Sequence, residues 1–354
     1  MSRPARRRQH RQDARPVVRY APHRPWWGVW LSALALSAIV AGCAPPVDEV
    51  GGTALVPSAE PGTFPVTIDH RYGTTELTEQ PERVVALGSP GRDAVLALGA
   101  RPVGVVDDTG TGGMPPWTDS RWADREPAVV GDGHGGDIER IAALRPDLII
   151  AQRSGLTRQR YERLSRIADV IAPPTGRPVG AAAWPELVKP VGKALGFPRL
   201  TRFLLRETES EFARVRLAHP EFGSRTVVVA RRIAPGRFAA FTSDDPRAAF
   251  LAELGFRLDP RVDDLAERGA TAVELSGDEL RLLDQDRLVW LTSGARDRAR
   301  IEADPRYRRL AVHREGRAVF APADDPDFGA AFSTPTVLSI PHAIERLVPR
   351  LAAN

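Results

Sequence analysis

The sequence predicts an α/β protein of two lobes, each a parallel sheet covered by helices, joined by one long helix. Three observations lead there. Short β-branched runs alternate with amphipathic segments between residues 83 and 172. The same alternation returns between residues 225 and 351. Between the two blocks, Arg199–His219 runs for 21 residues without proline or glycine, which is about 30 Å of helix. Alternating strand and helix implies a parallel sheet with both faces covered, and the length of the chain suits two domains of ordinary size.

Along the chain, residues 1–42 read as an export leader. Residues 1–25 carry eight arginines and one acid, and Trp26–Val40 is an uncharged, mostly apolar run. That run is too short for a spanning helix, and it ends in the small residues Ala41 and Gly42, as a secretory signal does. Cys43 follows, the only cysteine in the chain, so it has no intrachain disulfide partner. Residues 43–65 are rich in proline, glycine and small residues and read as a flexible tether.

Residues 66–183 form the expected first lobe. Strands are predicted at 83–88, 101–106, 127–130 and 147–151, with a helix–strand pair over 157–172. Gly99 is placed to end the first helix. Residues 184–219 form a helical linker: one helix from Trp184 to Gly196, then Pro198 in the first turn of the long one. Its apolar stripe is Leu200, Phe203, Leu204, Phe212 and Val215. Residues 220–354 form the second lobe, with strands at 225–230, 237–243 and 317–322, a helix at 245–256 capped by Asp245 with Pro246 behind it, a helix–strand pair over 276–294, and a final helical region at 333–351.

The pI near 9.7 and the net charge of +4 suggest an acidic partner. Removing the leader's eight arginines and one acid from the 49 basic and 45 acidic residues leaves a net of −3. The basic excess belongs to the leader, and a nucleic-acid role loses its support.

The segments "PERVVALG…DAVLALGARPVGV", "IERIAALRPDLIIA", "SGLTRQRYERLSRIA", "TSDDPRAAFLAELGF" and "LSGDELRLLDQDRLVWL" resemble, in order, those of iron–siderophore substrate-binding lipoproteins of ABC importers. This helix-linked class of periplasmic binding proteins also includes haem and vitamin B12 binders, and the resemblance covers roughly residues 66–352. It implies two Rossmann-like lobes with a ligand cleft between them, no catalysis, and no cofactor, because the cargo brings its own iron. It also implies a monomer that partners ABC permease subunits. Val40-Ala41-Gly42-Cys43 is similar to a lipobox, which implies a diacylglycerol on Cys43 and attachment to the extracytoplasmic face of the membrane.

Loops at strand ends should face the cleft, which selects candidates for a bulky, oxygen-rich ferric chelate. Arg92, Arg153 and Arg231 offer planar, permanently charged donors. Trp117, Phe241 and Phe332 offer flat faces. His134 lies in the loop "GDGHGG". The resemblance further implies one permease-docking carboxylate per lobe: Glu139 in the first and Asp278 in the second, where the family more often has glutamate and Glu279 is adjacent.

Rival readings have specific weaknesses. Gly131, Gly133 and Gly136 satisfy G-x-G-x-x-G, but the acid expected about 20 residues on is replaced by Gln152-Arg153. Ser89 lacks a nucleophile elbow and is followed by Pro90, so an exported enzyme is remote. Haem, cobalamin or a bare metal ion, the last through His134 with Asp132 and Asp137, remain as alternative cargoes within the same class.

Overall fold

The computed structural model describes residues 56–107, 113–122, 126–133, 135–152, 155–178, 180–325 and 328–353. Cys43, His134 and Arg153 lie outside the described residues, as does the leader.

The first lobe opens with a hairpin that the sequence reading missed. Strand β1 (Val66–His70) pairs antiparallel with β2 (Gly73–Leu77). The α/β alternation then begins: β3 (Val84–Ala86), α1 (Ser89–Ala97), β4 (Gly104–Asp107), α2 (Asp119–Trp122), β5 (Ala128–Asp132), α3 (Ile138–Ala143), β6 (Leu148–Ile150), α4 (Arg158–Leu164) and β7 (Asp169–Ile171). The sheet order is β5-β4-β3-β6-β7, every pair parallel. The chain steps outward from β3 to β5, then returns to place β6 on the other side of β3. The order therefore reverses between β3 and β6, and such a switch point opens a crevice beyond the carboxyl ends of the strands. Gly91 permits this closeness, since a Cβ there would lie 2.7 Å from Ile150 Cγ2 on β6.

Helices α5 (Trp184–Ala194) and α6 (Pro198–Ala218) follow as expected, with Pro198 opening α6. Thr201, Thr208, Phe212 and Val215 are the buried residues of α6, and Leu200 and Leu204 pack partly against the core. Phe203, expected in the stripe, is half exposed, because the helix meets its neighbours along a narrower line than the sequence stripe. The end of the expected tether is also docked. Glu60 accepts the N–H groups of Arg199 and Leu200, at 2.8 and 3.1 Å for Oε1. It thereby satisfies free donors at the start of α6 and complements the positive end of its dipole.

The second lobe comprises β8 (Thr226–Ala234), β9 (Arg237–Phe241), α7 (Pro246–Glu253), β10 (Arg257–Leu258), α8 (Pro260–Asp264), β11 (Ala272–Leu275), β12 (Arg287–Thr292), α9 (Ala295–Glu302), α10 (Ala311–Arg314), β13 (Ala318–Pro322), α11 (Gly329–Ser333) and α12 (Ser339–Ala352). Its sheet runs β11-β9-β8-β12-β13, with β10 against the start of β8. The sheet is mixed where a parallel one was expected: β9 runs antiparallel to both β8 and β11. Two residues, Pro235 and Gly236, separate β8 from β9. That length turns a hairpin but is far too short for a parallel crossover.

One apolar core passes through both lobes. It joins Val84, Leu148 and Ile150 of the first sheet to Phe212 of α6, Val227, Val229 and Val289 of the second sheet, and Ile340 and Leu347 of α12. The opposite sheet faces are covered separately, by Ile141 and Leu164 on one lobe and around Trp290 and Tyr307 on the other. Among the described residues, no helix is long and apolar enough to cross a membrane.

Candidate ligand-binding cleft

The switch point of the first lobe carries Arg92 and Asp93 in the first turns of α1. Both are buried, Arg92 at 1% and Asp93 at 0% exposure. Arg92 Nε donates to Asp93 Oδ1 at 2.9 Å. The other carboxylate oxygen accepts Trp117 Nε1 at 2.9 Å and Thr336 Oγ1 at 2.5 Å. Trp117 comes from the loop after β4, and Thr336 lies between α11 and α12 of the second lobe. Asp93 thus holds the cleft arginine, the cleft tryptophan and the opposite lobe in one buried cluster. Nearby, the Trp117 ring lies 5.6 Å from that of His342 on α12, and Leu338 packs against Leu96, Val105 and Trp122. A buried charge is stable only when paired and hydrogen-bonded, and three donors meet that need here.

At the end of β6, Gln152 is 3% exposed and donates Nε2 to Leu187 O at 3.0 Å. Its Oε1 is buried with no partner among the described residues. Thr292, at the carboxyl end of β12, likewise has a buried hydroxyl without a partner among them. Such groups cost free energy until something completes them. Asp93, Thr336, Gln152 and Thr292 were not selected from the sequence. The only signal for Asp93 was its place beside Arg92 in a turn after a strand, and nothing in the sequence pairs it with Thr336, 243 positions away.

The second-lobe candidates divide. Arg231 is exposed on β8, paired with Leu291 near the carboxyl end of its parallel neighbour β12. Phe241 is 6% exposed. Because β9 runs antiparallel, its last residue lies back along the sheet, beyond the Ala230–Ala240 pair, and not at the cleft edge. Its face is occupied by Arg247, 4.0 Å from the ring centroid, and Arg231 stands 5.9 Å away. Phe332 is fully buried, edge-on to Phe250 at 5.6 Å. Both phenylalanines are packed into the core and present no free face to a ligand in this structure.

The carboxylates expected to dock a permease sit at helix starts. Asp137 caps α3 by accepting Arg140 N–H at 2.9 Å, and that bond holds its carboxyl below the usual range. Glu139, in the first turn, has a side chain 80% exposed, with Arg163 3.8 Å away. In the second lobe, Glu279 reaches back to Ser276 N–H at 3.1 Å and closes a capping box. Asp278 is left exposed. The loop "GDGHGG" folds back so that Asp137 N–H meets Val130 O at 2.7 Å, a tight return into α3.

Two α/β lobes, an interlobe helix and a crevice at the strand ends define a binding protein of the two-lobed class. Residues 84–324 match the periplasmic binding protein family, and the chain belongs to that family. A probable siderophore-binding lipoprotein of Bacillus subtilis, YfiY, is 26% identical over 193 residues, 54% of this chain and 57% of that protein; this chain thus spans little more than half of that relative's length. PiaA of Streptococcus pneumoniae, solved in complex with ferrichrome, is 27% identical with a TM-score of 0.71, over 81% of this chain and 97% of that one. A periplasmic solute binding protein from Mycobacterium smegmatis is 29% identical with a TM-score of 0.69, over 81% and 98%.

Proposed function

We propose that this chain is an extracytoplasmic substrate-binding lipoprotein that captures a ferric siderophore and delivers it to the permease of an ABC importer. The observation that carries the reading is the match, across nearly the whole two-lobed body, to a solved protein holding ferrichrome. The chemistry at the switch point supports it. Trp117 follows the end of β4 and Arg231 is exposed near the end of β12 in the second lobe, while Arg92, buried against Asp93, braces the first-lobe wall and does not reach the ligand itself. Arg153 and His134, outside the described residues, are the remaining sequence candidates. A chelate rich in oxygens complements an exposed guanidinium such as that of Arg231, and the Trp117 ring, its N–H held by Asp93, offers a flat face. Gln152 Oε1 and Thr292 Oγ1 are polar atoms that such a ligand or its water can complete. The iron is cargo coordinated by its chelator, so the protein needs no metal ligands and no catalytic group. Phe241 and Phe332 support the cleft walls from behind. Cys43 carries the lipid. Glu139 and Asp278 present one exposed carboxylate on each lobe to permease arginines, a pairing that steers encounter and sets register. The protein acts as a monomer.

Tryptophan fluorescence of the mature chain tests this. Ferrichrome, a ferric catecholate, haem, cobalamin, zinc and manganese are titrated separately. Saturable quenching by a ferric siderophore at sub-micromolar concentration is the expected result. Saturable binding of bare zinc or manganese with no response to any ferric chelate would reject the assignment.

A further inference from the structure

At the pole of the second lobe opposite the strand carboxyl ends, a cavity of about 350 Å³ is lined by Arg287, Arg298, Arg317 and Arg350, with Val319 and Phe320 as an apolar wall. No carboxylate is among its lining residues. Arg287 is 3% exposed. Its Nε donates to Leu351 O at 2.8 Å, Nη1 to Asp286 O at 2.8 Å and Nη2 to Ala353 O at 3.4 Å. All three acceptors are backbone carbonyls, and a guanidinium has five N–H groups, so donors remain. Arg350 is bonded to the Arg346 carbonyl and stacked 4.4 Å from the Phe328 ring. Arg298 and Arg317 have carboxylate partners outside the lining, Glu302 at 2.9 Å and Glu315 at 2.8 Å. Among the described residues Arg287 and Arg350 form no ion pair with a carboxylate, although Asp286 beside Arg287 offsets part of its charge. Burial first, then Arg225 and Arg317 close by, pull the Arg287 pKa down, with Asp286 opposing in part.

The simplest structural explanation is that Arg287 caps the last carbonyls of α12, where the helix dipole is negative. That accounts for one arginine. It does not account for three more around an open space whose volume falls at the lower end of small-molecule sites, about 300–1,000 Å³.

We propose that this cavity binds a compact polyanion bearing phosphate or carboxylate oxygens. Four guanidiniums around one space, two of them without an ion pair among the described residues, leave an excess of positive charge there, and the planar forks suit bidentate oxygens. The site is separate from the interlobe cleft and does not depend on what the cleft holds.

The test uses the mature chain carrying Cys43→Ser, so that no lipid holds it to a membrane. Pyrophosphate and citrate are titrated by calorimetry, and vesicles of phosphatidylglycerol or of phosphatidylcholine are tested by sedimentation. The parent is compared with Arg298→Gln/Arg350→Gln, which leaves buried Arg287 in place. Saturable binding of a soluble anion, weakened at least about tenfold in the double variant, assigns a free anion. Sedimentation with phosphatidylglycerol but not phosphatidylcholine, lost in the double variant, assigns a lipid headgroup. Ligand quenching at the cleft stays unchanged in either case. Absence of both kinds of binding, or binding that the double variant keeps, overturns the proposal.

Discussion

Asp93 connects the two lobes through single atoms. Thr336→Val removes one donor to its carboxylate while keeping the shape. Loss of a hydrogen bond to a buried charge costs about 1.5–3 kcal/mol. The expected outcome is a lower denaturation midpoint in urea, with a shifted Trp117 emission because the same carboxylate holds the indole. A midpoint and a spectrum identical to the parent would contradict this. His70 is a second residue with a measurable signature. It is 2% exposed; its Nδ1 faces Tyr72 N–H at 3.2 Å and its Nε2 faces Thr75 Oγ1 at 3.0 Å. Thr75 gives its own proton to Val170 O, so the imidazole donates through Nε2 and is neutral. Burial holds its pKa below the ordinary 6.5, with Asp69 opposing in part. The unfolded chain protonates at the ordinary value, so below about pH 6.5 the unfolded state binds more protons. His70's contribution is therefore full above pH 6.5 and declines as pH falls towards the folded pKa. His70→Gln should flatten stability against pH over that interval in urea titrations; an unchanged slope would sink the assignment.

At the scale of elements, the corner between α5 and α6 is the tightest joint. A Cβ on Gly192 would lie 1.8 Å from Thr201 Oγ1, and that hydroxyl is already bonded to Phe197 O at 2.7 Å. Helix propensity alone favours Gly192→Ala by about 1 kcal/mol. Overpacking a full core costs about 1–3 kcal/mol or more, so the substitution should destabilise. Adding Thr201→Ala should recover part of the loss, since contacting residues couple. A thermal scan of the three variants checks both signs. This joint shows what was legible locally. Gly196 and Pro198 mark the break and the restart in the sequence, and α6 has the expected length. The docking of Glu60 on its first turn was not legible, because the partner arrives from 139 positions away.

Across the whole molecule, α6 is not the only link between lobes. The shared core, the Asp93–Thr336 bond and Trp184 Nε1 on Glu253 at 3.3 Å all resist separation. Hinge closure about such a joint should therefore be small. On the proposed function, recognition by a permease would depend on fixed surface points. Glu139→Arg and Asp278→Arg, separately and together, should leave ligand quenching intact, with stability within about 0.5 kcal/mol, while abolishing siderophore-supported growth. Loss of binding in these variants would place the carboxylates in the wrong role.

Sequence by itself determined many of the elements and their order, because periodicity and turn residues act over a few positions: β3 to β7, the long helix, and the Asp245–Pro246 start of α7 could all be placed from local pattern, whereas the β1–β2 hairpin, β10, α8 and β11 could not. It also determined that Arg92 and Trp117 follow strands. Tertiary structure decided what those residues do. Phe241 and Phe332 read as ligand faces from their strand ends, yet burial claims them, since the direction of β9 and the packing of Phe250 are set by distant segments. Asp278 and Glu279 are indistinguishable as letters, and only the cap that Glu279 closes leaves Asp278 exposed. The physical reason is range: backbone propensity is local, whereas burying a charge such as Asp93 requires donors that only the completed fold brings within 3 Å.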